Sequence, residues 1–329
     1  MPSDSYPFAV GRIRGLERSL LDQMDLSRIA EQPMAAAVKS LADLGYGQNA
    51  KDKSDADSLI AAEMDSLRLI IEEVTPKKEL TDLFIIPQDA INFKLLLKAR
   101  MLGETVGDDE LARGLFDAAL LKKAVETKKY DGLPLELAEG MRQVEKRIGE
   151  KEFAEGVDPL TVSAEVDRVV YGFVFERLRE TKNSFVEGYF RAKVDFTNLL
   201  SFLRARALRW DKTRLAVVLV GGGRVSESDF LKAYDLPVEG IEKAISFGEL
   251  GGAVRKGLLA YADGGESIYD AAVVFEESLM DIAAAQRLDS FGIGPVVCYL
   301  LKKTEEGKKL RIIFAKKRSG ETAERRKVS

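Results

Sequence analysis

The amino-acid sequence predicts an all-α protein built from three similar helical domains. Apolar residues recur at helical spacing along almost the whole chain, and strand-type alternation is nearly absent. Only 9 of the 329 residues are proline, so few positions interrupt a helix. A stretch of twelve residues also occurs twice, and more faintly a third time, at a separation of roughly 110 residues, which indicates a repeated unit.

The repeated stretch is DAINFKLLLKAR at residues 89–100 and DFTNLLSFLRAR at residues 195–206. The two copies align without a gap and share five residues. These are Asp89 with Asp195, Asn92 with Asn198, Leu97 with Leu203, Ala99 with Ala205 and Arg100 with Arg206. On a helix that turns about 100° per residue, the shared Asp, Asn, Ala and Arg lie on one side. We therefore expect the same helical face to occur twice.

A fainter third copy, EGKKLRIIFAKK, lies at residues 306–317. It keeps an acid at its start and a base at its end, and it places Arg311 opposite Lys94, but the shared Asp, Asn and Ala are missing. Three units of this length fill the chain. The spacing predicts helical domains at residues 1–105, 106–221 and 222–329.

The elements of the first unit follow from apolar stripes and helix breakers. An i, i+3/i+4 stripe predicts a helix over residues 6–22, and shorter helices follow at 26–30 and 33–44. Residues 48–57 carry no apolar side chain larger than alanine and are predicted to form a loop. A long amphipathic helix at 59–74 and a turn at 80–86 then precede a helix that starts at Asp89.

The second and third units repeat this order of short helices, one long helix and a final helix with the repeated stretch. The helices predicted for the second unit lie at 108–121, 122–129, 135–148 and 161–181, before the helix that starts at Asp195. Those of the third unit lie at 226–234, 238–247, 250–261, 267–288 and 296–303, before the last copy.

Composition excludes several classes of function. The net charge of −4 argues against a nucleic-acid partner. The chain has no histidine, which removes Ser-His-Asp and Cys-His catalysis and imidazole zinc sites. The single cysteine, Cys298, is predicted to be a small core residue and cannot form an internal disulfide. No apolar run is long enough for a membrane span or a signal peptide, so we expect an intracellular protein that does not itself cross a bilayer.

Two segments carry possible chemistry. AVVLVGGG at residues 216–223 resembles a strand that leads into a phosphate loop, but Ser226 stands where a third glycine is needed. The other interpretation is a helix end and a turn, with Ser226 as the cap of the next helix. The basic end, residues 316–318 and 325–327, is predicted to be mobile or to contact an acidic partner.

The shared polar residues form the second candidate: Asp89, Asn92, Arg100, Asp195, Asn198 and Arg206. One interpretation is a polar active site. The other is structural, with Asp capping its helix and with Asn and Arg satisfying neighbouring carbonyls. Because a motif that recurs within one chain more often marks repeated packing, we favour the structural role. We expect no catalytic, cofactor-binding or metal-binding residue.

The segment at residues 10–47, VGRIRGLERSLLDQMDLSRIAEQPMAAAVKSLADLGYG, resembles the start of the C subunit of V/A-type ATPases, whose eukaryotic counterpart is the d subunit. That family has an early R-G-L, a leucine-rich helix and a Y-G that ends the third helix. The pattern at 89–100, the glycines at 221–223 and the segments 294–301 and 310–313 are similar to later parts of the family. The resemblance covers nearly the full length.

This resemblance implies a funnel of three helical domains with approximate threefold pseudosymmetry. It also implies a non-catalytic central-stalk protein on the cytoplasmic side of the membrane, which links D- and F-type axle subunits of the ATPase head to the proteolipid rotor ring. Such a protein transmits torque for H⁺ or Na⁺ transport and holds no cofactor. Two other hypotheses stay open, a soluble helical-repeat adaptor with unrelated partners and an enzyme that uses the carboxylates and arginines around Asp89 and Asp195.

Overall fold

The structure is a computed structural model that describes residues 6–108, 110–152, 158–263 and 267–328. These ranges consist of α-helices, two short 3₁₀ helices and connecting segments and contain no β-strand, which confirms the predicted all-α class. None of the helices in these ranges combines the length and the hydrophobicity that a bilayer crossing requires. The threefold arrangement, the funnel and the domain boundaries at 105 and 221 stay predictions.

The helices are numbered in chain order. In the first part of the chain they are α1 Pro7–Leu16, α2 Gln23–Glu31, α3 Met34–Asp43, α4 Ala56–Val74 and α5 Lys78–Leu102. The middle part contains α6 Ala118–Thr127, α7 Leu135–Glu152, α8 Pro159–Thr181, α9 Ser184–Ala207 and α10 Lys212–Val218. The last part contains α11 Glu227–Ala233, α12 Val238–Ala244, α13 Gly251–Asp263, α14 Ile268–Ala285 and α15 Gly294–Val328.

The chain divides into two compact units. The first, Met1–Phe84 with Ala283–Ser329, joins the two ends of the chain, and the second is Ile85–Ile282. In the first unit, α15 packs on α2 and α4. The core there consists of apolar side chains from these helices and from α3, among them Ile29, Leu41, Leu59, Ile60, Leu310 and Phe314.

In the second unit, α8 packs against α7, α9 and α10. Aromatic rings fill much of this core. Phe196 of α9 stacks on Phe275 of α14 with 4.7 Å between ring centroids, and Phe202 of α9 meets Tyr234 edge-on at 5.4 Å. Such ring pairs favour close contact between helices beyond the area that they bury.

Several helices begin at a polar residue whose side chain accepts a hydrogen bond from a backbone amide of the first turn. These residues are Asp22, Asp55, Asp117, Asp158, Asn183, Asp211 and Ser226. Each such cap satisfies an amide that has no partner within its own helix. Ser226 therefore has the capping role predicted for it. Residues 216–218 end α10 and the three glycines form a turn, so the strand and phosphate-loop interpretation is wrong.

Four predicted helix boundaries are wrong. The helix expected over 6–22 ends at Leu16, and after a short 3₁₀ turn Leu20 is extended. The helix expected over 108–121 begins only at Ala118. The helices expected to start at Asp89 and Asp195 begin earlier, at Lys78 and Ser184. The two aspartates therefore lie inside their helices, and the predicted capping role is wrong.

The end of the chain also differs from the prediction. The segments 296–303 and 306–317 belong to one continuous helix, α15. Residues 316–318 lie within it: the Lys317 ammonium donates to the carbonyl of Ala30 at 2.8 Å, and Arg318 pairs with Asp57 at 2.6 Å. The mobile tail predicted there is wrong for these residues. The side chains of residues 325–327 lie outside the described part of the chain.

Candidate functional site

The first copy of the repeated stretch holds the loop that follows its helix. The carboxylate of Asp89 in α5 accepts hydrogen bonds from the backbone amides of Leu115, at 2.7 Å, and Phe116, at 3.2 Å. Asn92, one turn later, donates to the carbonyl of Ala112 at 2.9 Å and accepts from its amide at 2.8 Å. We call Asp89 and Asn92 the first clamp.

The second copy makes the same contacts. The carboxylate of Asp195 in α9 accepts from the amides of Arg224, at 2.9 Å, and Val225, at 3.1 Å. Asn198 donates to the carbonyl of Val220 and accepts from its amide, both at 2.8 Å. Asp195 and Asn198 form the second clamp. In both clamps the amide that the acid binds directly precedes a helix cap, Phe116 before Asp117 and Val225 before Ser226.

Both clamps are buried, and their carboxylate and amide groups form hydrogen bonds with the backbone. The four side chains are at most 2% exposed. Burial raises the pKa of Asp195, and the amides of Val225 and Arg224 oppose that rise. A carboxylate in this setting is satisfied by backbone donors, as a buried polar group must be. We propose a structural role for Asp89, Asn92, Asp195 and Asn198.

A glycine makes room for each clamping carboxylate. A Cβ atom on Gly114 would lie 2.0 Å from Oδ1 of Asp89, and a Cβ on Gly223 would lie 2.2 Å from Oδ1 of Asp195. Both distances are shorter than any non-bonded contact allows. The third glycine of the 221–223 run is therefore explained by backbone approach to a carboxylate within the protein, which is a known use of glycine.

The base at the end of each copy holds the short helix that follows the loop. Arg100 donates to the carbonyl of Val125, and Arg206 donates to the carbonyl of Tyr234 at 2.9 Å and to that of Leu236. Val125 lies eight residues after the cap Asp117, and Tyr234 lies eight residues after the cap Ser226. The two arginines therefore bind equivalent carbonyls near the ends of α6 and α11.

Arg100 has an additional partner. Its guanidinium binds both carboxylate oxygens of Glu145 in α7, at 2.8 and 2.6 Å, and the hydroxyl of Tyr130 donates to the same carboxylate at 2.6 Å. Arg206 has no such carboxylate among its described hydrogen bonds, and its guanidinium lies over the ring of Phe202 instead, 5.8 Å from the ring centroid. The two copies therefore share their carbonyl contacts and differ in their side-chain partners.

The third copy makes corresponding contacts with the beginning of the chain. Glu306 in α15 accepts from the amide of Leu21 at 2.6 Å, and Leu21 directly precedes the cap Asp22. Lys317 donates to the carbonyl of Ala30, eight residues after that cap, and to the carbonyl of Gln32. Glu306 thus stands where Asp89 and Asp195 stand, and Lys317 stands where Arg100 and Arg206 stand. Glu306 forms the third clamp.

A buried ion cluster surrounds the third clamp. The ammonium of Lys303 lies 2.6 Å from Glu306 and 2.9 Å from Glu63 of α4, and it sits 4.4 Å from the centroid of the Tyr46 ring. The side chain of Lys303 is 2% exposed. Glu63 also accepts from the amide of Gly47 at 2.9 Å. Tyr46 and Gly47 therefore contribute directly to this cluster.

Burial sets the protonation behaviour of this cluster. It raises the pKa of Glu306, and the neighbouring Lys303 opposes the rise. Burial also disfavours the charge on Lys303, but Glu306 and Glu63 raise the pKa of Lys303 overall. Within the described ranges, no group of three or more His, Cys, Asp or Glu residues could hold a metal ion.

Sequence reasoning identified the six polar positions but not their partners. The Asp, Asn and Arg residues recur at fixed offsets, whereas the amides and carbonyls that they bind carry no residue-specific signal. Lys303 and the segment at residues 20–32 were missed. The available signal was the acid and base of the third copy, Glu306 and Lys317, which keep the spacing of the first two copies.

Comparison with known proteins places nearly the whole chain in one family. The family described as "ATP synthase (C/AC39) subunit" matches residues 9–327. The C subunit of the A-type ATP synthase from Desulfurococcus sp. (strain SY) is 23% identical over 327 residues, covering 94% of this chain and 85% of the relative. The protein of the same name from Methanothermobacter thermautotrophicus is 25% identical over 349 residues, covering 96% and 85%. The chain therefore belongs to the ATP synthase (C/AC39) subunit family.

Proposed function

We propose that this protein is a non-catalytic central-stalk component of a V/A-type rotary ATPase. In this role it links D- and F-type axle subunits of the ATPase head to the membrane rotor ring of proteolipid subunits and transmits torque for H⁺ or Na⁺ transport. It binds the complex at the cytoplasmic side of the membrane and contributes no site of ATP hydrolysis. Both relatives are named as C subunits of A-type ATP synthases, which supports membership in such a complex.

The observation that carries the mechanical part of the proposal is the recurrence of the clamp. Three long helices each hold the loop and short helix of another segment by an acid and a base eleven residues apart, Asp89 with Arg100, Asp195 with Arg206 and Glu306 with Lys317. A protein that passes torque must resist deformation where its helices join. Connections that hold buried acids by hydrogen bonds between packed helices provide that resistance.

The same contacts argue against the enzyme hypothesis. The carboxylates of Asp89 and Asp195 are buried and accept backbone amides, so neither is presented to a substrate. Arg100 and Arg206 are engaged with backbone carbonyls. A general acid or base must reach the proton that it transfers. The adaptor hypothesis predicts the same fold but different partners, and purification separates it from the stalk proposal.

The first test is purification of the tagged chain from mildly solubilised membranes of a host that makes the complex. The stalk proposal expects axle, head and proteolipid subunits to co-purify, and an adaptor with unrelated partners brings none of them. The second test measures ATP hydrolysis and ATP-driven ion uptake in inverted vesicles from a verified deletion. We expect hydrolysis without uptake, with coupled uptake restored by the wild-type chain. Normal uptake in the deletion would overturn the proposal.

A further inference from the structure

The second unit contains a polar cavity of about 240 Å³ next to the second clamp. It lies among α5, α8, α9 and the end of α10. The polar side chains that line it are Lys94, Ser163, Asp167, Tyr171, Thr197, Ser201 and Arg204. The share of liquid volume taken by one water is about 30 Å³, so the cavity has room for a small hydrated ion.

Positive charge exceeds negative charge around this cavity. Asp167 is the carboxylate among the described lining residues, and Lys94 forms an ion pair with it. A second ammonium, that of Lys98, donates to the hydroxyl of Ser163 at 2.8 Å. Arg204 is attracted by Asp167 but forms no ion pair with it among the described contacts. The lining carboxylate nearest to Lys98 and Arg204 is therefore already paired with Lys94.

The repeated stretch explains why Lys98 and Arg204 both lie beside this cavity. Lys98 and Arg204 occupy the same position in the first and second copies of the twelve-residue stretch. Asp158, the cap of α8, is a second carboxylate that attracts the charge of Lys98, but its side chain accepts a hydrogen bond from the backbone amide of Thr161. Burial lowers the pKa of Lys98, and the charge on Lys94 lowers it further. Holding these cations together costs free energy unless an anion lies between them.

We propose that this cavity binds a phosphate-sized oxyanion. Arg204 supplies a guanidinium fork that fits an oxyanion, Lys98 supplies a point charge beside the lining hydroxyl of Ser163, and the hydroxyl of Ser201 supplies a neutral donor. Two sources have this chemistry, free inorganic phosphate and the phosphate groups of a nucleotide. The site is independent of the stalk role proposed above, because it rests on residues within the second unit alone.

Titration calorimetry on the full chain tests the proposal, with sodium phosphate and ADP as probes and sodium chloride holding the ionic strength constant. Saturable binding of phosphate is expected. Tighter binding of ADP than of phosphate identifies a nucleotide as the source, and the reverse order identifies the free ion. Heat of dilution alone with both probes overturns the proposal.

Variants locate the site. Lys98→Met and Arg204→Gln each remove a charge-assisted contact and are expected to weaken binding at least tenfold. The side chain of Arg204 is exposed and makes no described hydrogen bond, so we expect its replacement to leave the fold intact. Lys123→Met, which changes an exposed lysine of α6 elsewhere in the same unit, is the control and keeps wild-type affinity. Equal affinity of Arg204→Gln and the control overturns the assignment.

Discussion

The carboxylate of Glu306 accepts a hydrogen bond from the backbone amide of Leu21, which lies 285 residues earlier in the chain. Asp89 and Asp195 make the corresponding contact with segments 26 to 30 residues later. The same hydrogen bond from a backbone amide to a carboxylate therefore occurs twice between neighbouring segments and once between segments that are far apart in the chain. A contact of such large sequence separation forms only after a costly loop closure.

The glycine beside each clamp gives the first prediction. Gly223→Ala places a methyl group 2.2 Å from Oδ1 of Asp195, and we expect it to lower the free energy of unfolding of the second unit by about 1–3 kcal/mol. The fluorescence of Trp210, the one tryptophan of the chain, reports unfolding of that unit in urea. Gly172→Ala in α8 is the matched control, because a Cβ there meets nothing within 4 Å. Replacing this helix-interior glycine is expected to be neutral or stabilising.

The amide of the clamp gives the second prediction. Asn198→Asp replaces the donor that faces the carbonyl of Val220 with an acceptor, and a buried carbonyl without its donor costs about 1–3 kcal/mol. Asn92→Asp is expected to lose a similar amount, because Asn92 makes the same pair of bonds with Ala112. Ser278→Ala, which removes a hydroxyl whose described hydrogen bond is to its own helix, serves as the control. A loss for Asn198→Asp no larger than that of the control would contradict the clamp.

The helical class and the repeated positions could be predicted from the sequence, because helix periodicity and identical side chains at fixed offsets are local signals. The helix boundaries at Leu16 and Ala118 could not. Residues 17–22 and 110–117 contain helix-forming side chains, yet their amides are used by Glu306, Asn92 and Asp89. Tertiary hydrogen bonds override local propensity in both segments.

The partner of the third clamp could not be predicted from the sequence, for a different reason. Glu306 and Lys317 keep the acid and the base of the first two copies, but their partners do not lie in the residues that come directly after them. They bind Leu21 and Ala30, more than 280 residues earlier in the chain. A backbone amide or carbonyl is available at almost every residue, so nothing in the identities of Leu21 and Ala30 marks them as partners.

The two arginines give the third prediction. Arg100→Lys is expected to cost about 1.5–3 kcal/mol, because a single ammonium cannot reproduce the two-point contact with Glu145. Arg206→Lys is expected to cost less than about 1 kcal/mol. The partners of Arg206 are backbone carbonyls, and in the third copy a lysine, Lys317, binds the corresponding carbonyl. Urea unfolding followed by Trp210 fluorescence compares the two. Equal losses would mean that the Glu145 contact contributes nothing.

The fourth prediction concerns the buried cation of the third clamp. Lys303→Met leaves Glu306 and Glu63 near each other without their shared cation, which is expected to cost about 3–5 kcal/mol at neutral pH. Lys303→Met/Glu306→Gln removes the acid as well and is expected to recover most of that loss. Since these residues lie in the first unit, hydrogen exchange of the amides of α2 and α4 measures the effect. A double variant as unstable as the single one would contradict this account.

The pH dependence of this pair follows from the direction of each pKa. Burial raises the pKa of Glu306 above its usual value. At pH values between the unfolded and the folded pKa, the native state therefore binds more protons than the unfolded state, and stability falls as the pH rises through that interval. Lys303 opposes the rise in the pKa of Glu306, so without Lys303 that pKa rises further, and the deficit of Lys303→Met is expected to shrink as the pH falls and Glu306 takes up a proton. In the wild type, Glu306 and Glu63 raise the pKa of Lys303 against the effect of burial. Its contribution is therefore complete below about pH 10.4 and is lost as pH rises through the folded value. A deficit for Lys303→Met that stays constant from pH 8 to pH 5 would show that Glu306 is not the group left unpaired.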